Sequence, residues 1–253
     1  MPDNARVCMV TGASQGVGAS IARMLSGQGH RVALVARGRD RLESVAAALP
    51  GPVLVVPADL TDARQVDDAF AAVEGEWGPV EVLVANAGAG VAAPLVSTTD
   101  EMWQRMLELN LTAPFRCVRR ALPAMLDRGW GRIVVVASVV AKRGESQVSA
   151  YTASKHGALG LVRAAASEVA KSGVTVNAVC PGYVDTPMTG DTITAIAERT
   201  GRSPEQAADV LARRQPIGRL VEPDEVAQAV DLCVRNAAIN GQGINVDGGA
   251  VQS

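Results

Sequence analysis

Seven short runs of apolar, mostly β-branched residues alternate with longer stretches of helical periodicity along this 253-residue chain. Several of the runs are apolar at every position, which is typical of strands in a sheet that is covered on both faces. Strands that alternate with helices in this way predict right-handed βαβ crossovers. We therefore predict an α/β fold with a doubly wound parallel sheet of seven strands and helices on both faces. The predicted strands are 6–12, 31–36, 53–58, 80–88, 131–138, 174–182 and 241–249.

A single domain is predicted over residues 1–253, because no repeat, low-complexity tract or linker divides the chain. The alternation is interrupted once, at about 187–221, where a polar stretch in two helical pieces follows the sixth predicted strand. Ligands of a doubly wound sheet bind beyond the carboxyl ends of its strands, so this insertion is well placed to be a lid. A surface excursion that contacts no ligand is the alternative interpretation.

A glycine-rich turn connects the first predicted strand to the helix that follows it. Gly12, Gly16 and Gly18 stand in the stretch VTGASQGVG with the spacing GxxxGxG. Glycines at such a turn allow the backbone to approach a pyrophosphate, whose negative charge is stabilised by the helix N-terminus. Because the turn lies between a strand and a helix, it predicts a Rossmann-like, dinucleotide-binding domain.

The end of the second predicted strand indicates which dinucleotide the chain prefers. NAD-binding units commonly place a carboxylate there, which accepts hydrogen bonds from the ribose 2′-hydroxyl. Ala36 and Arg37 occupy this position here, and an arginine suits the 2′-phosphate of NADP. We therefore predict NADP(H) as the preferred cofactor, with NAD(H) as the alternative. In a second interpretation, Arg37, Arg39 and Arg41 form only a solvated helix start.

Tyr151 and Lys155 lie four residues apart in SAYTASKHG, a run made mostly of small residues. On a helix, side chains at this spacing share one face. A phenol titrates near pH ~10 in water, and a neighbouring ammonium lowers its pKa by stabilising the phenolate. The pair therefore predicts a tyrosine that exchanges a proton near neutral pH. A chance surface pair is the alternative when YxxxK stands alone.

Several further motifs occur in a fixed order around this tyrosine and lysine. They are TGASQGVG, ADLTD, ANAG, ELNLTAPF, VVVAS, YTASK, VCPGYVDTPM and NVDGG, and Ser138 precedes Tyr151 by thirteen residues. With these motifs the chain resembles the short-chain dehydrogenase/reductase family over essentially its whole length. The resemblance implies an NAD(P)-dependent oxidoreductase that acts on CH–OH or C=O groups.

The family resemblance implies catalytic roles for four residues. Tyr151 would be the general acid in carbonyl reduction, and Ser138 would hydrogen-bond the carbonyl oxygen of the substrate. Lys155 would lower the pKa of Tyr151 and bind the hydroxyls of the nicotinamide ribose. Asn110 would hold a water molecule in a proton relay, and a helix-kinking core asparagine is the alternative. The sequence shows no metal-ligand set, and this chemistry needs none.

The same resemblance implies which residues bind the cofactor. Asp59 would accept a hydrogen bond from the adenine amino group, and Asn86 would contact the adenosine ribose through its backbone. Val184 and Thr186 would hold the nicotinamide carboxamide. Ala85 stands where the family usually has asparagine, a change expected to affect packing more than chemistry. The full predicted set is Gly12, Ser14, Gln15, Gly16, Val17, Gly18, Arg37, Asp59, Leu60, Asn86, Gly88, Tyr151, Lys155, Pro181, Gly182, Val184 and Thr186.

Within the family, GRIVVVASV, VCPGYVDTPM and PIGRLVEPDEVA make the chain most similar to 3-oxoacyl (carrier-protein or CoA) reductases and bacterial aromatic-polyketide ketoreductases. The expected reaction is NADPH-dependent reduction of a ketone, as a 3-oxoacyl thioester or polyketide, to the secondary alcohol. An NAD-dependent 3-hydroxyacid or secondary-alcohol dehydrogenase is the first alternative. A non-catalytic NADP-binding regulator is the second, and the intact serine, tyrosine and lysine argue against it. When the insertion closes, Tyr183 and Met188 are expected to face the acyl group.

Basic residues are expected around the mouth of the pocket if the substrate arrives as a thioester, for which an acyl carrier protein is a candidate carrier. Arg128 and Lys171 end two neighbouring predicted helices, where carrier-protein reductases of this family often carry basic residues. Complementing the helix dipole is the alternative role for both. The pairs Arg119–Arg120 and Arg213–Arg214 are predicted to be solvated.

Composition excludes several other classes of protein. The net charge of −2 gives no reason to expect nucleic acid or a membrane surface as a partner, and no apolar run approaches the ~20 residues of a bilayer span. Four cysteines without CxxC spacing favour reduced thiols, and Cys8 and Cys180 are expected to be buried. The protein is therefore expected to be cytoplasmic. The family resemblance also implies a homotetramer assembled through long paired helices and the C-terminal strand.

Overall fold

Seven strands form one parallel sheet in the computed structural model, which describes residues 5–252. The strands are β1 (Val7–Thr11), β2 (Arg31–Ala36), β3 (Val53–Pro57), β4 (Val82–Ala85), β5 (Gly131–Val136), β6 (Val174–Pro181) and β7 (Gly243–Val246). They lie in the order β3-β2-β1-β4-β5-β6-β7, so the winding reverses between β1 and β4. The predicted doubly wound α/β fold is confirmed, and each of the seven predicted runs contains one strand.

Helices cover both faces of this sheet. They are α1 (Gly16–Gly27), α2 (Arg39–Ala46), α3 (Ala63–Trp77), α4 (Asp100–Leu107), α5 (Ala113–Arg128), α6 (Ser149–Val169), α7 (Pro187–Thr200), α8 (Pro204–Ala212) and α9 (Pro223–Arg235). Buried residues of α3, α5 and α6 pack on one face, and those of α1, α2 and α9 pack on the other. Successive strand residues alternate between the faces: Met9 packs in the first cluster and Val10 in the second. This alternation explains why the strands are apolar at every position.

The insertion after β6 consists of α7 and α8 followed by an irregular segment. Val221, which follows that segment, forms an isolated parallel β-bridge with Val184, a residue that lines the cavity. α8 packs through the buried side chains of Ala207 and Leu211, whereas α7 buries only Thr189. The two helices pack against each other. Most of α7 therefore lies on the surface, with little apolar contact to the core.

Two arginines that were predicted to be solvated form ion pairs instead. Arg120 donates to both carboxylate oxygens of Glu74, at 2.9 and 2.6 Å, and so joins α5 to α3. Arg214 bonds Glu145 in the loop before α6. In both cases the acidic partner is distant in sequence, so spacing along the chain does not reveal it.

All four cysteines are buried and free, as predicted for Cys8 and Cys180. Within residues 5–252, no helix is long and apolar enough to cross a bilayer. The same part of the chain contains no cluster of three or more histidine, cysteine, aspartate or glutamate side chains arranged to hold a metal ion.

Candidate active site

A cavity of about 500 Å³ opens at the carboxyl ends of the strands. It is lined by the segments that follow β1 to β6, together with residues of α4, α6 and α7. The reversal of winding between β1 and β4 creates a crevice at this edge, which is where doubly wound sheets bind their ligands. All seventeen predicted cofactor residues line the cavity, and Ser138 does too. Asn110 is the one predicted site residue that does not line it.

The turn between β1 and α1 brings the backbone close to the cavity. Gly12 has a φ of +65°, and a Cβ atom on Gly18 would lie 2.3 Å from the carbonyl oxygen of Gly12. The side-chain amide of Asn86 donates to the carbonyls of Thr11 at 2.9 Å and Gly12 at 3.3 Å, which ties this turn to the end of β4. The N-terminus of α1 begins at Gly16 beside the cavity, where its first backbone N–H groups have no partner within the helix. This arrangement fits the pyrophosphate of a dinucleotide.

Charged side chains from β2, β3 and α2 surround the far end of the cavity. The carboxylate of Asp59 accepts from the N–H and the hydroxyl of Thr61 at 3.0 and 2.7 Å, and these bonds hold the pKa of Asp59 below its usual value. Arg37 lowers that pKa further, by a smaller amount. Arg41, to which the sequence assigned no cofactor-binding role, also lines the cavity and donates to Gln15 Oε1 at 3.2 Å. Two guanidinium groups at this end suit a phosphate.

Ser138, Tyr151 and Lys155 converge at the other end of the cavity. Ser138 directly precedes a short 3₁₀ turn after β5, and Tyr151 and Lys155 both project from the first turns of α6. The side chain of Ser138 lies close enough to the hydroxyl of Tyr151 to lower its pKa. The Nζ atom of Lys155 donates to the carbonyl of Val136 at 2.9 Å and lies 5.7 Å from the centroid of the Tyr151 ring. The predicted shared face of the tyrosine and the lysine is therefore present.

Burial dominates the ionisation of this cluster. It raises the pKa of Tyr151, and the nearby side chain of Ser138 opposes this by a smaller amount. Burial also lowers the pKa of Lys155 to about 8. The sequence predicted that Lys155 would lower the pKa of the tyrosine, whereas the net shift is upward because burial of the phenolate is its largest cause, and the ammonium of Lys155 is directed at the carbonyl of Val136. A tyrosine that stays neutral at pH 7 retains the proton that a general acid must donate.

Asn110 lies in a π-helical turn, Glu108–Thr112, that joins α4 to α5. It is fully buried. Its side-chain nitrogen donates to the carbonyls of Ala89 at 2.9 Å and Met106 at 3.1 Å, and its oxygen accepts from the N–H of Ala89 at 3.1 Å. Asn110 therefore holds the segment after β4 in place from behind the cavity. Single π turns inside helices are frequent at functional sites.

Two residues that were expected to face the acyl group have different surroundings. Met188, at the start of α7, lines the cavity and is 46% exposed. Tyr183 does not line it, because its hydroxyl donates to Glu145 at 3.0 Å and accepts from Arg214 at 3.2 Å. The sequence analysis did not name Glu145 and took Arg214 as solvated, since their partners are close only in space.

Arg128 and Lys171 lie away from the cavity. Arg128 ends α5 just before β5 begins, and its guanidinium pairs with Glu81, just before β4, at 3.4 Å. Lys171 follows α6 shortly before β6 begins. Both residues therefore stand at the amino ends of strands, whereas the cavity opens at the carboxyl ends. Within one chain, the prediction that they surround the mouth of the pocket is wrong.

In sequence and in fold, the chain is similar to several known proteins. The chain matches the model of the short chain dehydrogenases over residues 6–197. It is 40% identical to a protein of Streptomyces coelicolor that is named as a ketoacyl reductase, over 97% of each chain. It is 36% identical to a D-beta-hydroxybutyrate dehydrogenase of Rhizobium meliloti, over 96% of this chain and 98% of that one. A solved structure of an actinorhodin polyketide ketoreductase variant with NADPH has a TM-score of 0.92 and 39% identity, and the match covers 98% of this chain and 97% of that chain.

The chain belongs to the short-chain dehydrogenase family. It is an NAD(P)-dependent oxidoreductase that acts on CH–OH or C=O groups. The resemblance to 3-oxoacyl reductases and to polyketide ketoreductases, which was predicted from short motifs, is confirmed by relatives that align with nearly the whole chain.

Replacing Gly18 with alanine tests the close approach at the glycine-rich turn. Because the added Cβ would lie 2.3 Å from the carbonyl oxygen of Gly12, we expect Gly18→Ala to lower the free energy of unfolding by about 1–3 kcal/mol and to weaken dinucleotide binding. Gly27→Ala at the end of the same helix is the matched control, since nothing lies within 4 Å of its Cβ position. Urea unfolding and fluorescence titration with NADPH would measure both effects. Equal stability of the two variants would contradict the packing argument.

Proposed function

We propose that this protein reduces a ketone to a secondary alcohol with NADPH, and that the ketone is a 3-oxoacyl thioester or a polyketide. One observation carries the proposal: Ser138, Tyr151 and Lys155 meet at one end of a cavity whose opposite end holds Arg37 and Arg41. The relatives named as a ketoacyl reductase and a polyketide ketoreductase support the reaction and the substrate class. The solved ketoreductase with NADPH supports the cofactor.

The proposed mechanism uses the polar groups at the β5 end of the cavity. NADPH supplies a hydride to the carbonyl carbon when it is bound. Tyr151 donates its phenolic proton to the carbonyl oxygen, and Ser138 hydrogen-bonds the same oxygen as negative charge develops on it. Lys155, with a pKa of about 8, is largely protonated at pH 7 and stabilises the tyrosinate that forms.

Reprotonation of Tyr151 is proposed to pass through Lys155 and a water held at Asn110. Gly88 separates these two residues: a Cβ atom on it would lie 2.8 Å from Asn110 Oδ1 and 3.4 Å from Lys155 Nζ. The position of Gly88 between the amine of Lys155 and Asn110 in the π-helical turn supports a relay in which protons reach the buried lysine from the side of α4.

Oxidation of a 3-hydroxyacid with NAD is the second candidate function. The observation that favours it is the 36% identity to a D-beta-hydroxybutyrate dehydrogenase over nearly the whole of both chains. The same serine, tyrosine and lysine would serve either direction, because a general acid in reduction is a general base in oxidation. Measuring NADPH oxidation with 3-oxoacyl thioesters and bicyclic ketones, beside NAD reduction with 3-hydroxyacids, separates the two functions.

We also propose that the enzyme is a homotetramer. Trp103, Phe115 and Leu126 are large apolar side chains along α4 and α5 that remain between 39% and 43% exposed. On α6, Gly160 has no atom within 4 Å of its Cβ position, so this helix offers a flat surface there. Long helices with exposed apolar and small residues pack closely against a second copy of the chain.

The cellular setting is part of the same proposal. The four free, buried cysteines support a reducing compartment, which we propose is the cytoplasm. The thioester would be carried by CoA or by an acyl carrier protein. Purified thioesters of both kinds, offered with NADPH, would identify the carrier.

Removing the hydroxyl of Tyr151 is expected to abolish reduction. In Tyr151→Phe we expect kcat to fall by ~100-fold or more, since general acid catalysis contributes at least this much. NADPH affinity, measured by fluorescence titration, should stay near the wild-type value because the ring remains. Turnover within about tenfold of wild type would contradict the role of Tyr151 as general acid.

Exchanging Arg37 for a carboxylate tests the cofactor preference. Arg37→Asp is expected to weaken NADPH and favour NADH, because attraction to the 2′-phosphate becomes repulsion. Arg39→Asp is the matched control, since Arg39 does not line the cavity and pairs with Glu43 on the same helix. Michaelis constants for both cofactors should be measured at one ionic strength, because exposed charges are screened by salt. An unchanged ratio in Arg37→Asp, or an equal change in the control, would exclude Arg37 as the selector.

Light scattering tests the assembly. We expect a mass four times that of the 26.1 kDa chain at micromolar concentration. Phe115→Glu should dissociate the assembly, because a charge would be placed in an apolar contact. Val96→Glu, at a residue that is 96% exposed outside these helices, is the control. A wild-type monomer would overturn the proposal.

A further inference from the structure

Three polar side chains from distant parts of the sequence meet beside the catalytic residues. The hydroxyl of Tyr183 donates to Glu145 Oε1 at 3.0 Å. Arg214, which follows α8, bonds the same carboxylate oxygen and also donates to the Tyr183 hydroxyl at 3.2 Å. The side chain of Glu145 is only 14% exposed, and it belongs to the loop that leads from Ser138 to Tyr151. We call Glu145, Tyr183 and Arg214 the latch.

A second contact fixes the same loop to α7. Arg199 in α7 donates to Gln147 Oε1 at 2.7 Å, and the carbonyl of Gln147 accepts from the N–H of Ala93 at 2.7 Å. Gln147 has a φ of +66° and is the only non-glycine residue within 5–252 that has a positive φ. A residue in this strained region persists only where surrounding contacts hold it. The loop before Tyr151 is therefore held between the insertion on one side and the segment after β4 on the other.

The buried neighbour of Arg214 extends the latch to the backbone after β6. Gln215 is 2% exposed, and its side chain accepts from the N–H of Tyr183 at 2.9 Å and donates to the carbonyl of Tyr183 at 3.1 Å. The segment that begins at Pro181 in the cavity wall is thus joined to the end of α8 through both the backbone and the side chain of Tyr183. Any movement of the insertion must therefore either break these hydrogen bonds or displace Tyr183 together with the insertion.

Polar contacts bear much of the attachment of α7. This helix buries only Thr189, yet its first turn, Pro187–Thr189, forms part of the cavity wall. Segments with few buried apolar contacts open at a low cost in free energy. The position of that wall consequently depends on the packing of α7 against α8, on the latch and on the bond between Arg199 and Gln147.

We propose that the latch fixes α7 over the substrate end of the cavity and so determines which ketones reach Tyr151. Glu145, Tyr183 and Arg214 do not line the cavity, so they are positioning residues that act through α7 and the loop before α6. The inference rests on the proposed ketone reductase function. Opening the latch would let α7 move outward and so widen the cavity. Bulky ketones would then be reduced more readily, and small ketones would be bound less tightly.

Two neighbouring arginines provide a matched pair of variants. Arg214→Gln removes the charged contact to Glu145. Arg213→Gln alters the neighbouring side chain, which is 82% exposed and pairs only locally, with Asp209 of α8 at 3.9 Å. We expect Arg214→Gln to speed amide hydrogen exchange in residues 187–200 by about tenfold, as the loss of a charged hydrogen bond implies. It should also raise the ratio of kcat/KM for a bicyclic ketone to that for acetoacetyl-CoA by about tenfold. Arg213→Gln should leave both quantities at the wild-type value.

Further variants separate positioning from folding. Arg214→Lys, which keeps the charge, should restore part of the exchange protection and of the substrate ratio. Tyr183→Phe removes one hydroxyl of the latch. It should shift the exchange rate and the substrate ratio in the same direction as Arg214→Gln, by a smaller amount. This variant replaces Arg214→Gln as the test if Arg214→Gln does not fold. The dissociation constant for NADPH should change less than the substrate ratio in these variants, because Arg37 and Arg41 lie on the β2 side of the sheet and the latch lies on the β6 side.

The outcomes decide the proposal in each case. Equal behaviour of Arg214→Gln and Arg213→Gln in exchange and in substrate ratio would overturn it. Faster exchange with an unchanged ratio would show that the latch holds α7 without selecting the substrate, which also contradicts it. If the wild-type protein reduces no ketone, the proposed function and the claim of selectivity fail together, while the exchange experiment still decides whether the latch holds α7.

Discussion

The hydrogen bonds that join the end of β4 to the turn after β1 are the interaction on which the rest of the site depends. Asn86 donates to the carbonyls of Thr11 and Gly12, and the hydroxyl of Thr11 accepts from the backbone N–H groups of Asn86 and Ala87 at 3.0 Å. The winding of the sheet reverses at this junction. Because parallel neighbours carry their helices to opposite faces here, nothing covers the crevice, and the cavity opens above it.

Burial then decides the chemistry at the β5 end of that crevice, where Tyr151 and Lys155 lie. Lys155 is nearly inaccessible and donates to Val136, so its pKa falls to about 8, while the pKa of Tyr151 rises. Both shifts favour the uncharged forms, as expected where water is excluded. A protonated tyrosine suits the proposed general acid in reduction, and the nearby ammonium of Lys155 would stabilise the phenolate that forms when the proton leaves.

The insertion shows how a weakly packed segment is positioned without a large apolar core. α7 contributes one buried residue, yet it forms part of the cavity wall. Its place depends on polar contacts to the loop before α6, which also carries the strained residue Gln147. Such contacts cost less to break than a packed core, so this wall can adapt to substrate while the sheet remains rigid.

The sequence by itself determined the seven strands and their parallel, doubly wound arrangement, because strands buried on both faces are apolar at every position and parallel strands need helical crossovers. It also determined that Tyr151 and Lys155 share a face, since i and i+4 positions of any helix do so. Only the tertiary structure decided the direction of the Tyr151 pKa shift and the partner of Arg214. The reason is that desolvation depends on everything that surrounds a side chain in space. Likewise, Glu145 lies 69 residues from Arg214 along the chain, and only the folding of the insertion back against the loop before α6 brings them into contact.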